Sequence, residues 1–151
     1  MKRHESLLLI AREHHESLVL ARRLVTGTGS AGSGWPAAPA AQAQALAAFH
    51  ERHLRRHFLA EEQVVFPAAQ DCGAEAVAMA ERLAAEHRQM TSRIRELAAD
   101  DAVDAAALAA FGELLNAHVR LEDRQFFPLL EAGLPPARLL RLQAGLEALY
   151  R

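Results

Sequence analysis

His57-Phe-Leu-Ala-Glu61-Glu62-Gln-Val-Val-Phe66-Pro67 returns later in the chain as His118-Val-Arg-Leu-Glu122-Asp123-Arg-Gln-Phe-Phe127-Pro128. In each copy a His leads a Glu by four residues and an acidic residue by five, and Phe-Pro closes the segment. Residues four apart on a helix share a face, so each copy aims one imidazole and one carboxylate in the same direction. Apolar neighbours put that direction on the buried side. Two such helices facing each other offer two nitrogens and two carboxylates to one small volume, which is the donor set of a metal site.

The composition sets the frame around this pair. A chain of 151 residues suggests a single domain spanning 1–151, long enough to bury a core without disulfides. Alanine and leucine dominate, aromatic residues are 5%, and strand-type runs are missing, so the fold class is all-α. A net charge of −2 gives no basic patch for nucleic acid. The lone Cys72 excludes an internal disulfide and reads as a small residue near a helix end. No membrane-length apolar run appears, and Met-Lys-Arg-His-Glu lacks a signal-peptide core, so the expected location is the cytoplasm.

In chain order, Leu7, Ile10, His14, Leu18, Ala21 and Val25 recur at helical spacing and predict a first helix over about 3–26. A Gly/Ser/Pro loop follows, with Trp35 expected to anchor it on the bundle. The second helix is expected over about 40–69, with Phe49, Leu54, His57, Glu61, Val64 and Val65 inward, closed by Asp71-Cys-Gly73. The third, about 74–99, carries Met79, Leu83, His87, Met90, Ile94 and Leu97. The fourth, about 105–131, follows an N-cap at Asp104 and carries Leu108, Phe111, Leu114, Leu115, His118, Glu122 and Phe126. A short helix over about 137–150 brings Leu139, Leu140, Leu142, Leu146 and Leu149 against the end of the bundle. Long helices with mostly short links predict an antiparallel up-down-up-down four-helix bundle over about 3–131. The pairs Glu13-His14 and Glu86-His87 also match, so the first two helices read as a duplicate of the second two, related by a pseudo-two-fold axis.

Each of the four helices therefore places a His in an apolar stripe. Burying an unpartnered imidazole is costly, and two glutamates in the same core repel each other unless cations sit between them. Imidazoles and carboxylates without thiolates argue against a Cys-rich zinc site, and the imidazoles argue against a calcium site. Bridging carboxylates with imidazoles suit a pair of iron ions, with manganese or zinc as other occupants.

On these residues the chain resembles the hemerythrin-like HHE cation-binding family. The matching elements are Glu13-His14, His57-x-x-x-Glu61-Glu62 with Phe66-Pro67, Glu86-His87, and His118-x-x-x-Glu122 with Phe127-Pro128. The resemblance implies a non-haem di-iron centre in a four-helix bundle, with an oxo or hydroxo bridge. Glu61 and Glu122 would bridge the ions, His14 and His57 would complete one, and His87 and His118 the other. His14 shares its face with Leu7, Ile10 and Leu18, whereas His15 shares one with Arg12 and Arg22, which favours His14. The family's oxygen carriers use an Asp five residues after the fourth-helix His, where Asp123 stands; symmetry with Glu61 favours Glu122. Those carriers also have a further His where this chain has Thr91, which argues against reversible oxygen carriage. His53 and His50 share roughly the face of His57, and His53 is a candidate for a further ligand or a supporting group. His4 reads as solvated.

The implied function is reaction with oxygen, nitric oxide or a reactive oxygen species at the metal pair, in sensing, scavenging or iron handling. An alternative is iron donation to damaged iron–sulfur clusters, although relatives with that role carry an extra Cys-containing N-terminal segment. Another is a metal-regulated interaction module.

Overall fold

A computed structural model describes residues 2–29 and 31–151; Met1, and Ser30 within the Gly/Ser/Pro loop, lie outside the described residues. The described residues form helices and loops, with no strand among them. The helices assemble into four rods. The first joins α1 (Glu5–Arg12) to α2 (His14–Thr26) through Glu13, whose φ of −68° and ψ of −19° keep the chain close to its helical course. It starts on His4, whose Nδ1 accepts the Ser6 N–H at 3.1 Å, so His4 is a helix cap rather than only a solvated ring. It ends on Gly27, which adopts the left-handed φ of 75° that terminates many helices.

The second rod comprises α3 (Pro39–Phe49), a π turn (His50–Leu54), α4 (Arg55–Ala60), a second π turn (Glu61–Val65), α5 (Phe66–Ala68) and a 3₁₀ turn (Ala69–Asp71). The third is the unbroken α6 (Ala74–Ala99), as expected from the sequence. The fourth comprises α7 (Ala105–Leu121), a π turn (Glu122–Phe126) and α8 (Phe127–Gly133). Its N-cap is Asp104, which accepts the Ala107 N–H at 2.9 Å. The final helix is α9 (Pro136–Leu149).

The π turns at Glu61–Val65 and Glu122–Phe126 occupy equivalent places in the repeat, and the Phe-Pro pairs explain them. Proline has no N–H, and its ring collides with the carbonyl four residues back in a regular helix. In both rods the turn before the proline widens, so the Phe66 and Phe127 N–H groups reach five residues back to the Glu61 and Glu122 carbonyls. The His50–Leu54 turn has no proline after it and no counterpart in α7.

The core divides into two apolar clusters. One gathers Leu7, Ile10, Val65, Phe66, Phe126, Phe127 and Leu130 with the buried leucines of α9. The other gathers Leu20, Leu24, Leu46, Phe49, Met90, Ile94, Phe111 and Leu115. The polar centre lies between them. On the first rod the buried set after His14 is Ser17, Leu20, Ala21 and Leu24; Leu18 is only partly buried and Val25 is 40% exposed. The expected Leu18 and Val25 stripe is therefore rotated. Helices α2 and α7 approach closely: a Cβ on Gly112 would stand 2.6 Å from the Ala21 carbonyl oxygen and 2.9 Å from Val25 Cγ2. Leu140 points outward at 64% exposure. Helix α9 packs against α1 and the Glu61–Val65 turn, bringing Tyr150 to Glu13.

Candidate metal centre

Two donor groups share the middle of the bundle. His14, His57, Glu61 and Glu122 form one, and Glu61, His87, His118 and Glu122 the other; within each, the donor atoms lie within 4.8 Å of one another. All six residues are buried, and the two glutamates have no exposure at all. Glu61 Oε1 stands 3.4 Å from His57 Nε2 and 3.1 Å from His87 Nε2. Glu122 Oε1 stands 3.5 Å from His118 Nε2 and 3.2 Å from His14 Nε2. Each carboxylate thus reaches one imidazole from each group. The two four-residue spacings make the contacts within a rod; packing of the rods makes the others.

His14 Nε2, His118 Nε2, Glu61 Oε2 and both Glu122 carboxylate oxygens are buried without a hydrogen-bond partner. Native interiors rarely leave such atoms unmatched. Here the unmatched atoms converge on one volume with the chemistry of a cation site, so the residues fit a metal pair.

A second layer of carboxylates fixes the imidazoles. Asp123 Oδ1 lies 2.8 Å from His14 Nδ1, Glu13 Oε1 3.1 Å from His57 Nδ1, and Glu86 Oε1 2.8 Å from His118 Nδ1. Glu62 Oε1 is farther, 3.8 Å from His87 Nδ1, which has no hydrogen-bond partner. Each supporting acid sits next in sequence to a central residue of its own rod and serves the His of another. The first rod serves the second, the second the third, the third the fourth, and the fourth the first. An Nδ1–H held by a carboxylate leaves Nε2 unprotonated and facing the centre, the tautomer a metal needs. Sequence reading missed these roles, although the acids adjacent to His14, Glu61, His87 and Glu122 were the available signal.

Electrostatics show how the protein balances this charge with protons. Burial raises the Glu122 carboxyl, and repulsion from Glu61 pushes it further, to about 7. Burial works against ionisation of Glu61 as well, but His57 and His14 override it and hold its pKa well below the usual carboxylate range. Burial disfavours the charged form of His87, yet Glu61 and Glu62 lift it to about 9. His14 and His57 are likewise raised against burial, by Asp123, Glu122 and Glu61 for His14 and by Glu61 and Glu13 for His57. Protons here occupy the role that cations fill in a metal site.

Aromatic rings close the surroundings. The Phe of each Phe-Pro pair covers a neighbouring imidazole, with centroids 5.2 Å apart for Phe66 and His87 and 5.5 Å apart for Phe127 and His14. Phe58 stacks on His87 at 3.9 Å. Tyr150 donates a short hydrogen bond to Glu13, the support of His57, while Arg56 stacks on the tyrosine ring at 4.3 Å.

The alternatives left by the sequence separate clearly in space. His15 is exposed while His14 is buried in the centre. Asp123 lies one layer out from Glu122. His53 stays outside both donor groups, stacked parallel to His57 at 6.3 Å and facing Glu13 and Glu16 at 3.8 and 3.6 Å. Trp35 packs against the apolar cluster around Phe49, anchoring its loop. Burial and Asp71 raise the Cys72 thiol, which suits an unreactive role.

Fold and site together define a class, a helical bundle enclosing an imidazole–carboxylate centre suited to metal cations. The family model of the hemerythrin HHE cation-binding domain matches residues 7–130, and the chain belongs to that family. Searches of curated proteins and of solved structures gave no significant match.

Proposed function

We propose that the centre holds two iron ions and reacts with oxygen, nitric oxide or a reactive oxygen species. His14 and His57 would hold one ion, His87 and His118 the other, with Glu61 and Glu122 spanning both. The observation that carries this reading is the convergence of buried donor atoms from all four rods, those of the first, second and fourth rods including atoms without a hydrogen-bond partner. When bound, the metal pair supplies the redox chemistry. The protein's residues orient the imidazoles through Asp123, Glu13 and Glu86, and exclude bulk water through Phe58, Phe66 and Phe127. Manganese is the second choice of metal for this donor set.

Thr91 gives the reading its direction. It is partly buried, one turn beyond His87, and lines a cleft that also reaches His87. A hydroxyl there leaves the centre short of a fifth imidazole and open to small ligands, which favours reaction or sensing over reversible carriage. The site of action we propose is the cytoplasm; no described helix is long and apolar enough to cross a membrane. The test is metal analysis with optical spectroscopy on purified protein, followed by azide and nitric oxide titration of the metal-bound form. Two irons per chain with a ligand-sensitive visible spectrum are expected. Zinc alone, or no metal, overturns the redox reading.

A further inference from the structure

Beside the His87 half of the centre, the second and third rods part into a cleft of about 690 Å³. Arg88, Thr91, Ser92 and Arg95 line it from α6. Their spacing of three, four and seven residues places them on one helical stripe, with the two arginine Cα atoms roughly 10 Å apart along the axis. His50 and Arg55 face them from the second rod, together with the carboxylates of Glu51 and Glu62. The ion pairs of α6 use Arg82 and Arg93, leaving Arg88 and Arg95 unpaired among the described residues. Arg55 is held by Glu51 at 3.2 Å. At the floor lies His87, 2% exposed, its Nδ1 without a hydrogen-bond partner and 3.8 Å from the Glu62 carboxylate.

The internal repeat supplies a control. The equivalent cleft, between the fourth and first rods, has a similar volume of about 630 Å³. In register with His14, the positions matching Arg88, Thr91, Ser92 and Arg95 are His15, Leu18, Val19 and Arg22. In register with His118, those matching His50 and Arg55 are Phe111 and Asn116. One cleft thus presents Thr91 and Ser92 where its twin has Leu18 and Val19, and adds His50 and a third arginine; the twin keeps Arg22, Arg120, His15 and Thr26, with Glu113. The bundle packs with Leu18 and Val19 in place of the two hydroxyls.

We propose that the cleft between the second and third rods binds a small oxyanion, of nitrite to phosphate size, and holds it beside the His87 half of the centre. Paired guanidiniums match oxyanion charge and geometry, and the two hydroxyls and His50 supply further hydrogen bonds. Binding in the cleft stands without a metal. Only its role in delivering anions to the centre rests on the function proposed above.

The experiment is calorimetric titration with sodium nitrite and with sodium phosphate at fixed ionic strength, on metal-loaded and on chelator-treated protein. Arg88→Gln/Arg95→Gln is compared with Arg22→Gln/Arg120→Gln in the twin cleft. Expected is saturable binding of both anions by both forms of the wild type, weakened at least tenfold in the first variant and within twofold of wild type in the second. These are surface arginines, and circular dichroism checks that both variants fold. Equal affinities in wild type and Arg88→Gln/Arg95→Gln overturn the proposal, as do equal losses in the two variants, which would mean diffuse charge. Nitrite binding that disappears on chelation yet survives Arg88→Gln/Arg95→Gln places the anion on the metal. That result overturns the cleft site and leaves the metal function standing.

Discussion

Raising the pH of chelator-treated protein from 6.5 to 9 is expected to destabilise it, while the metal-loaded protein stays level over the same range. The sign follows from His87. Its pKa is 6.5 in an unfolded chain and about 9 in the fold without metal, so between those values the folded state binds the extra proton. Stability then falls as pH rises. At 1.36 kcal/mol per unit the loss is on the order of 3 kcal/mol, or roughly 6–12 °C in Tm for a chain of this length. Glu122, raised to about 7 from 4.5, acts in the same direction at lower pH, so the decline begins in mildly acidic solution. His87 and Glu122 share one charge cluster, and their contributions do not add. Bound cations reverse this. They keep the imidazoles neutral, so acid competes with metal and stability rises up to the ordinary His pKa before levelling. The assay is thermal melting by circular dichroism across pH 5–9, with saturating metal and with chelator. Parallel pH curves for the two forms, or a metal-free curve that rises between pH 6.5 and 9, would refute the assignment of these buried groups as a cation site.

Other perturbations test separate parts of the structure. Glu86→Gln and Asp123→Asn remove the carboxylates behind His118 and His14 and are expected to weaken metal binding about 10–100-fold, measured by competition with a chromophoric chelator; unchanged affinity would show that these acids do not orient the imidazoles. Tyr150→Phe keeps the ring beside Arg56 but loses the hydrogen bond to Glu13, so a cost of roughly 1 kcal/mol is expected in chemical denaturation, with the fold intact. Phe58→Ala deletes the ring stacked on His87 and is expected to cost about 3–5 kcal/mol, read from the denaturation midpoint. Gly112→Ala pushes a methyl against the Ala21 carbonyl and is expected to cost about 1–3 kcal/mol; an unchanged Tm would mean that α2 and α7 are not packed so closely.

The sequence by itself determined the bundle and the residues at its centre. Helical periodicity interrupted by His14, His57, His87 and His118 marked four buried faces. The spacing of His57 to Glu61, and of His118 to Glu122, brought donor pairs together because four residues span little more than one turn. The third helix and the Asp104 cap were legible for the same local reason. What only the tertiary structure decided depends on more than one rod. The support of His14, His57 and His118 by acids from other rods follows from how the rods pack around the centre. The shift of burial away from Leu18 and Val25 and the close approach of α7 to α2 at Gly112 both involve residues far apart in the chain. The π turns broke the 3.6-residue rule that the periodicity argument assumes; Pro67 and Pro128 were the local sign of two of them, and the His50–Leu54 turn had none. Tyr150 reached Glu13 only because α9 folds back along α1. The two clefts beside the centre became distinguishable once the repeat existed in space, since a stripe of arginines and hydroxyls on one helix has no chemical direction until a second helix faces it.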